Sequence, residues 1–318
     1  MTHAKYRHNL PQLGDTCLLT DGGIETTLIF RDGLDLPFFA SFTLLRTQAG
    51  QQALRRYYTR YATLARQQNA GLILDSATWR ANPEWGALLG YGPRALAQAN
   101  RNAVEMLFEL RDCFEAAEPF VISGNIGPRG DGYVPDKAMT ADVAADYHSA
   151  QVAIFDAAGV DMVTAVTLSH AGEAAGIARA CAERGIPLAL AFTLEIDGRL
   201  PSGQPLGEAI EEVDGDPCGG PSYFMINCAH PDHFRAVLDP GADWPKRIRG
   251  LRANASRLSH AELDASDVLH DGDPEELARD YAALAPLLPN LRVFGGCCGT
   301  DHRHVRAIGN ACLPAHVH

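Results

Sequence analysis

Chemistry is most readily placed at residues 292–300, Arg-Val-Phe-Gly-Gly-Cys-Cys-Gly-Thr. A short apolar run, Val293-Phe294, leads into Gly295-Gly296, two adjacent cysteines and Gly299. The paired glycines let the backbone turn sharply and crowd a bound atom. Neighbouring cysteines make poor disulfide partners, because the bridge needs a set Cα separation and side-chain direction. Two thiolates at the end of a strand suit a soft metal; the plainer alternative is two small buried apolar side chains. A second such place is Asp21-Gly22-Gly23, followed by Ile24-Glu25, after the apolar run Cys17–Thr20. It puts a carboxylate and exposed backbone N–H groups at one sheet edge, or else a turn whose aspartate caps the next element. A third is Asn227-Cys228, which ends the apolar run starting at Tyr223.

These loci are distant in sequence, so the elements between them decide whether they meet. Residues 1–16 read as an irregular lead-in. Apolar runs predict strands at 17–20, 72–78, 119–124, 161–167, 186–192, 223–228, 248–254 and 291–295, the seventh less apolar than the rest. Helical periodicity predicts helices at 47–69, 93–117, 140–158, 169–184, 206–212, 231–238, 274–288 and 301–312, with Asp273 as a cap and Pro274 in its first turn. Residues 31–46, 79–85 and 255–273 read as loops, and 197–203 as a hairpin-like excursion. The loop 125–132 is glycine-rich but lacks GxGxxG and any Lys-Ser/Thr sequel, so it is not a phosphate loop.

Eight strands each followed by a helix, with no break in composition, predict a single α/β domain over 1–318, a (β/α)8 TIM barrel. A doubly wound open sheet is the alternative. In a barrel, Asp21, Ser76, Asn125, Thr167, Cys228, Asn254 and Cys297-Cys298 all reach one mouth. Strands six and eight lie two apart around the ring, so Cys228 can join the cysteine pair. Three thiolates on Zn2+ leave a fourth tetrahedral position open. Such a centre carries a net charge of about −1, a poor activator of water but able to hold a substrate thiol as its thiolate. His230, two residues after Cys228, is a weaker candidate for a fourth ligand. His302 and His304 are expected to face solvent or backbone.

The bulk composition narrows the partners. Of 318 residues, 46% are hydrophobic and 21% charged, as in ordinary globular chains. A formal net charge of −12 argues against nucleic acid and against anionic lipid as partners. No apolar run approaches a membrane span, and residues 1–6 lack a secretory core. Eight cysteines in this chain do not form a dense framework, so reduced thiols and a cytoplasmic location are expected. The terminal His316-Val317-His318 reads as a solvated end. Oligomeric state, a homo-oligomer included, stays open.

The chain resembles the zinc- and thiol-dependent homocysteine S-methyltransferases, including the betaine and S-methylmethionine enzymes. The residues carrying the likeness are Gly295-Gly296-Cys297-Cys298-Gly299-Thr300 with the following 301–308, Asn227-Cys228 and Asp21-Gly22-Gly23. Phe192-Thr193 with 197–200, and Gly124 to Pro128, also fit, so the likeness spans almost the whole chain. The resemblance implies zinc held by Cys228, Cys297 and Cys298, and methyl transfer to the homocysteine sulfur. It further implies that Asp21 helps bind the amino group of homocysteine, with backbone near Gly22-Gly23 and Asn227 lining the site.

Departures bear on the substrate. A Glu-Thr pair of the family, whose Glu also contacts that amino group, is replaced by Val166-Thr167. A Pro-Asn-Ser-Gly-like end of strand seven is replaced by Ala253-Asn254-Ala255-Ser256, and Ser76-Ala77-Thr78-Trp79 stands for a Thr-Asn-rich segment. A valine cannot pair with an ammonium group, so either Asp21 and Glu25 do so alone or the acceptor is another small thiol. For a sulfonium or quaternary ammonium donor, Trp79, Trp85 and Tyr133 are candidate contacts. A non-catalytic zinc- or thiol-binding barrel is a rival reading. A metallohydrolase is a weaker one, since the early strands offer no His-X-His. No corrinoid- or folate-binding extension is visible in the sequence, which favours a free small-molecule donor.

Overall fold

The computed structural model describes residues 4–114, 119–134 and 139–314; the C-terminal His-Val-His lies outside them. Eight parallel strands close into one barrel in sequence order. They are β1 (Leu18–Leu19), β2 (Gly71–Asp75), β3 (Phe120–Ile126), β4 (Met162–Leu168), β5 (Leu188–Phe192), β6 (Tyr223–Asn227), β7 (Ile248–Ala253) and β8 (Val293–Gly296). Leu18 pairs with both Gly71 of β2 and Val293 of β8, which closes the ring. The helices that follow the strands are α1 (Gln48–Gln67), α2 (Pro93–Cys113), α3 (Ala141–Ala158), α4 (Ala171–Ala182), α5 (Leu206–Asp214), α6 (Pro231–Phe234), α7 (Pro274–Leu284) and α8 (His302–Cys312). This is the (β/α)8 barrel expected from the alternation of apolar runs and helical periods.

Parallel strands are covered on both faces, which is why they read as continuous apolar runs. The outward faces pack on the helices, and a smaller cluster fills the interior, including Leu18, Ile73, Val121, Met162, Tyr223 and Val293. The helices begin where polar side chains replace missing backbone bonds. Thr47 accepts from Gly50 N at 3.1 Å, and Asp273 accepts from Glu275 N and Glu276 N at 2.8 and 3.0 Å. Each such cap stabilises its helix by about 1 kcal/mol.

Four segments differ from the expectation; the loop 31–46 carries 3-10 helices at Pro37–Phe39 and Ser41–Arg46, too short to show a helical period. The lead-in is not merely irregular. A 3-10 turn at Pro11–Leu13 buries Leu10 and Gln12, and Gln12 Nε2 donates to Tyr223 Oη at 3.2 Å at the N-terminal end of the barrel. Its backbone is held by buried Asp161, which accepts from Tyr6 N at 2.8 Å and from Arg111 Nη1 at 2.9 Å. The loop 79–85 runs into a short helix, Pro83–Leu88, capped by Asn82 Oδ1 accepting from Trp85 N at 3.2 Å. The loop 255–273 contains a helix at His260–Asp264 with a Ser259/Glu262 capping box. Both helices are too short to display a helical period.

The opposite, C-terminal end of the barrel is clasped shut between its first and last strands. Gly23 N donates to Thr300 O at 3.1 Å, Gly299 N donates to Thr26 Oγ1 at 3.2 Å, and Gly296 N donates to Asp21 O at 3.0 Å. Cβ atoms at Gly295 and Gly296 would collide with Thr20 Oγ1 and Thr300 Oγ1, so this approach requires glycine. No helix among the described residues is long and apolar enough to cross a membrane.

Candidate active site

The strand ends surround a cavity of about 410 Å³. Asn125, Thr167, Cys228, Asn254, Cys297 and Cys298 line it, so six of the eight strand-end residues singled out from sequence share one space, together with Asn227, Gly22, Gly23, Glu25 and Val166. Asp21 and Ser76 lie buried beneath its wall.

The sulfurs of Cys228, Cys297 and Cys298 lie within 4.8 Å of one another. Cys228 and Cys297 are joined as a disulfide, whereas the other six cysteines are free. The expectation of reduced thiols therefore holds for those six only. Thiols gathered closely enough to share one metal are also close enough to be oxidised to one another. The adjacent pair Cys297-Cys298 is not bridged, in line with the poor geometry of neighbouring cysteines.

Local backbone aims these side chains. Cys228 and Thr167 hold φ of 52° and 63°, a left-handed conformation that costs a non-glycine residue about 1–3 kcal/mol. Asn227 supplies bonds that offset it. Its Oδ1 accepts from Thr167 N at 2.8 Å, and its Nδ2 lies 2.9 Å from Thr167 Oγ1 and 3.3 Å from Cys228 Sγ. His260 Nε2 donates to Cys228 O at 2.5 Å, and its ring packs on Tyr133 with centroids 4.1 Å apart. Tyr133 in turn donates to Cys298. Burial pushes the Cys298 thiol up to about 11, with that donation pulling the other way. A metal cation would overcome this and bind the thiolate.

The donor set fits zinc: three cysteines on rigid strand ends, with an asparagine oriented behind one of them. Among the described residues a second group of possible ligands, His230, Asp232 and Asp280, lies apart from the cysteines. It is committed elsewhere. His230 Nδ1 accepts from Asp232 N at 3.2 Å at the start of α6, while Arg257 and Arg235 pair with the two carboxylates. His304 is buried and donates to Asp271 O at 2.7 Å, the backbone role expected of it.

A charged group reaching from β7 to β1 and β2 was less legible. Arg252 of β7 bonds three groups: Asp21 and Asp75 through its two terminal nitrogens, and Gly296 O through Nε at 3.3 Å. Tyr57 Oη lies 3.0 Å from Asp21 Oδ2 and 2.9 Å from Gly22 O. Burial pushes the Asp21 carboxyl up to about 6 against the pull of Arg252. Glu25 borders the cavity itself and accepts from Ser41 Oγ at 2.8 Å; burial pushes it up to about 7. Reasoning from sequence missed Arg252, His260 and Arg80. A charged residue inside an apolar strand is the one signal that marks Arg252.

A closed (β/α)8 barrel with three cysteines at its mouth defines a class of thiolate-site enzymes built on strand ends. The family model for homocysteine S-methyltransferase matches residues 18–312. The chain belongs to that family and is an S-methyltransferase. No curated protein sequence matches it. Among solved structures it is similar to the homocysteine methyltransferase MmuM from Escherichia coli. The oxidised form has 21% identity and a TM-score of 0.72 over 95% of this chain and 97% of that one. The metallated form has 20% identity and a TM-score of 0.70 over 93% and 96%. At this identity the likeness supports the fold.

Proposed function

We propose that this enzyme moves a methyl group from a small sulfonium or quaternary ammonium donor to the thiolate of homocysteine, giving methionine, with zinc held by Cys228, Cys297 and Cys298. The convergence of three sulfurs within 4.8 Å on the wall of one cavity carries the reading. Cys228, Cys297 and Cys298 would hold the zinc, and the chemistry it would supply is to lower the pKa of a substrate thiol so that the sulfur is a thiolate at neutral pH. The thiolate then attacks the donor methyl carbon; the S–C bond forms as the methyl–onium bond breaks, its electron pair leaving with the neutral product. No proton has to move in that step.

The chain's own contribution is alignment. Glu25 accepts the acceptor ammonium, and the backbone of Gly22-Gly23 flanks it. Asp21 acts from beneath, holding that backbone through Tyr57. Asn227 fixes the direction of Cys228. The reading applies to the reduced protein, since a Cys228–Cys297 bond occupies two of the three ligands.

Zinc K-edge absorption on reduced, zinc-loaded protein tests it. Three sulfurs at about 2.3 Å and one lighter ligand are expected, rising to four sulfurs with homocysteine. Failure to bind zinc stoichiometrically would sink the reading. A second reading, the same chemistry on a thiol without an α-ammonium, is favoured by Val166 and by the Arg252 pairing of Asp21. It predicts that 4-mercaptobutanoate is methylated at least as fast as homocysteine.

A further inference from the structure

Three phenylalanines border the cavity with their rings in solvent. Phe30, Phe38 and Phe39 are 40%, 50% and 44% exposed, and each lines the same space as the sulfurs. Every other phenylalanine of the chain is buried or half-buried. Val268, 64% exposed, and the half-buried Leu263 and Leu269 line the space from the segment after β7. Apolar surface gathered in this way marks a binding surface.

The backbone is strained to keep two of the rings outside. Phe38 and Phe39 hold φ of 55° and 56°, a left-handed conformation that is an outlier for a bulky side chain. The segment is pinned on either side of them. Leu36 and Ala40 are buried, and Phe39 N and Ala40 N donate to Leu36 O and Pro37 O at 3.0 and 3.1 Å. Alanine is turned into the core and phenylalanine out of it, the reverse of what packing alone would select. Phe38 meets Trp85 with ring centroids 5.7 Å apart. The guanidinium carbon of Arg80 lies 4.0 Å from the Trp79 centroid and 3.9 Å from that of Trp85. Both indoles are thus engaged by a cation of the chain itself, and the free aromatic surface is that of the phenylalanines.

The other end of the same space is different in kind. Cys228, Thr167 and Asn227 line it and are only 2% exposed, so the cavity grades from sulfur, hydroxyl and amide at its floor to apolar groups at its opening. A concave space of about 410 Å³ suits a small molecule and not a partner chain.

We infer that the methyl donor carries an apolar group on its onium atom, seated at the opening among Phe30, Phe38, Phe39 and Val268. In-line displacement puts the leaving atom on the side of the methyl remote from the attacking sulfur. With the acceptor sulfur at the cysteine floor, the body of the donor lies toward the opening. The S–C bond forms as the methyl–onium bond breaks, and the electron pair leaves with a neutral sulfide or amine that bears the apolar group. That the ligand is the methyl donor rests on the proposed function; a site for an apolar group at the opening does not.

Trimethylsulfonium and hexyldimethylsulfonium share an onium centre and differ only in chain length. Calorimetric titration of each into the reduced protein, without thiol, therefore reads the opening directly. The hexyl ligand is expected to bind about 10–100-fold tighter, with the more negative heat-capacity change of buried apolar surface. Phe38→Gly combined with Phe39→Gly fits the left-handed backbone and should not lower the urea midpoint, yet should cut that ratio to about threefold or less. Val268→Ser should cut it in part, and serves if the glycine variant misfolds. The inference is overturned if the two ligands bind alike in the parent, if both variants keep the full ratio, or if chain length matters for alkyl thiols and not for sulfoniums. It is overturned too if the parent sediments as a dimer that the glycine variant breaks, because the rings then serve a second copy. Chain-length-dependent binding without methyl transfer would sink the proposed function alone; methyl transfer from both sulfoniums with equal KM would sink the inference alone.

Discussion

The sulfur corner at the ends of β6 and β8 and the charged group that reaches from β7 across to β1 and β2 are built on opposite principles. On the first, short side chains sit at strand ends with their directions set by neighbours: Asn227 behind Cys228, Tyr133 on Cys298, and Tyr281 Oη donating to Gly295 O at 2.7 Å. On the second, long charged side chains from distant strands satisfy one another: Arg252 with Asp21 and Asp75, beside an apolar Val166. The first side presents reactive atoms to the cavity. The second pairs its charges with one another, Arg252 still bordering the cavity, and leaves Glu25 as the acidic group among the lining residues of the β1 end. Under the proposed function, recognition of a metal and recognition of an amino group are therefore separable, and the second can change while the first is kept.

That contrast is breakable. Cys298→Ser removes one ligand of the sulfur corner, and loss of stoichiometric zinc with a fall in methyl transfer of more than about 10³-fold is expected, the fold persisting by circular dichroism. Metal content and single-turnover rates measure it. Arg252→Met attacks the other wall. It strands two buried carboxylates, and urea denaturation should show a loss of about 3–5 kcal/mol. If the triad is only a structural brace, combining it with Asp21→Asn and Asp75→Asn should restore most of that loss.

Finer changes sharpen the comparison. Asn227→Ala keeps all three sulfurs but frees their orientation, and zinc affinity by competition with a chelator should weaken about 10–100-fold. Glu25→Gln should leave zinc binding unchanged and raise the homocysteine KM about tenfold, as loss of one charge-assisted contact would. The pH dependence carries the sign. Glu25 is raised from an ordinary 4.5 to about 7, so the carboxylate needed for an ammonium forms only as pH rises through that value. The homocysteine KM should fall across pH 6–8, and the glutamine variant should lose the break. A folded pKa above the unfolded one also gives stability that is full below about 4.5 and lost as pH rises through about 7. The variant should therefore lose less stability than the parent over that interval.

How far the sequence carried the reading follows from which interactions are local. Strand positions were legible because buried parallel strands are continuous apolar runs, and the cysteine corner because the closed order of strands brings β6 within two of β8. The short helix at Pro83–Leu88 was not, since six residues show no period. Arg252 made its strand look merely less apolar. Its partners lie 231 and 177 residues away, and nothing near β7 announces them. The same pairing is why Asp21, expected at the amino group, lies beneath the wall. Trp79 and Trp85 were read as faces for a cation, and a cation does occupy them, but it comes from residue 80.

The clasp between β1 and β8 bears on when the enzyme matures. β8 is the last of the eight strands to be synthesised, and it carries two of the three sulfurs while pairing with both β7 and β1. Gly23 and Thr26, made near the start, meet Gly299 and Thr300 only when that strand arrives. A growing chain therefore displays Cys228 alone long before the corner exists, and a metal captured early would have one thiol from this site to hold it. Under the proposed function, metal acquisition is tied to ring closure, so that a nascent chain halted before β8 should be distinguishable from a finished one by its inability to retain the ion.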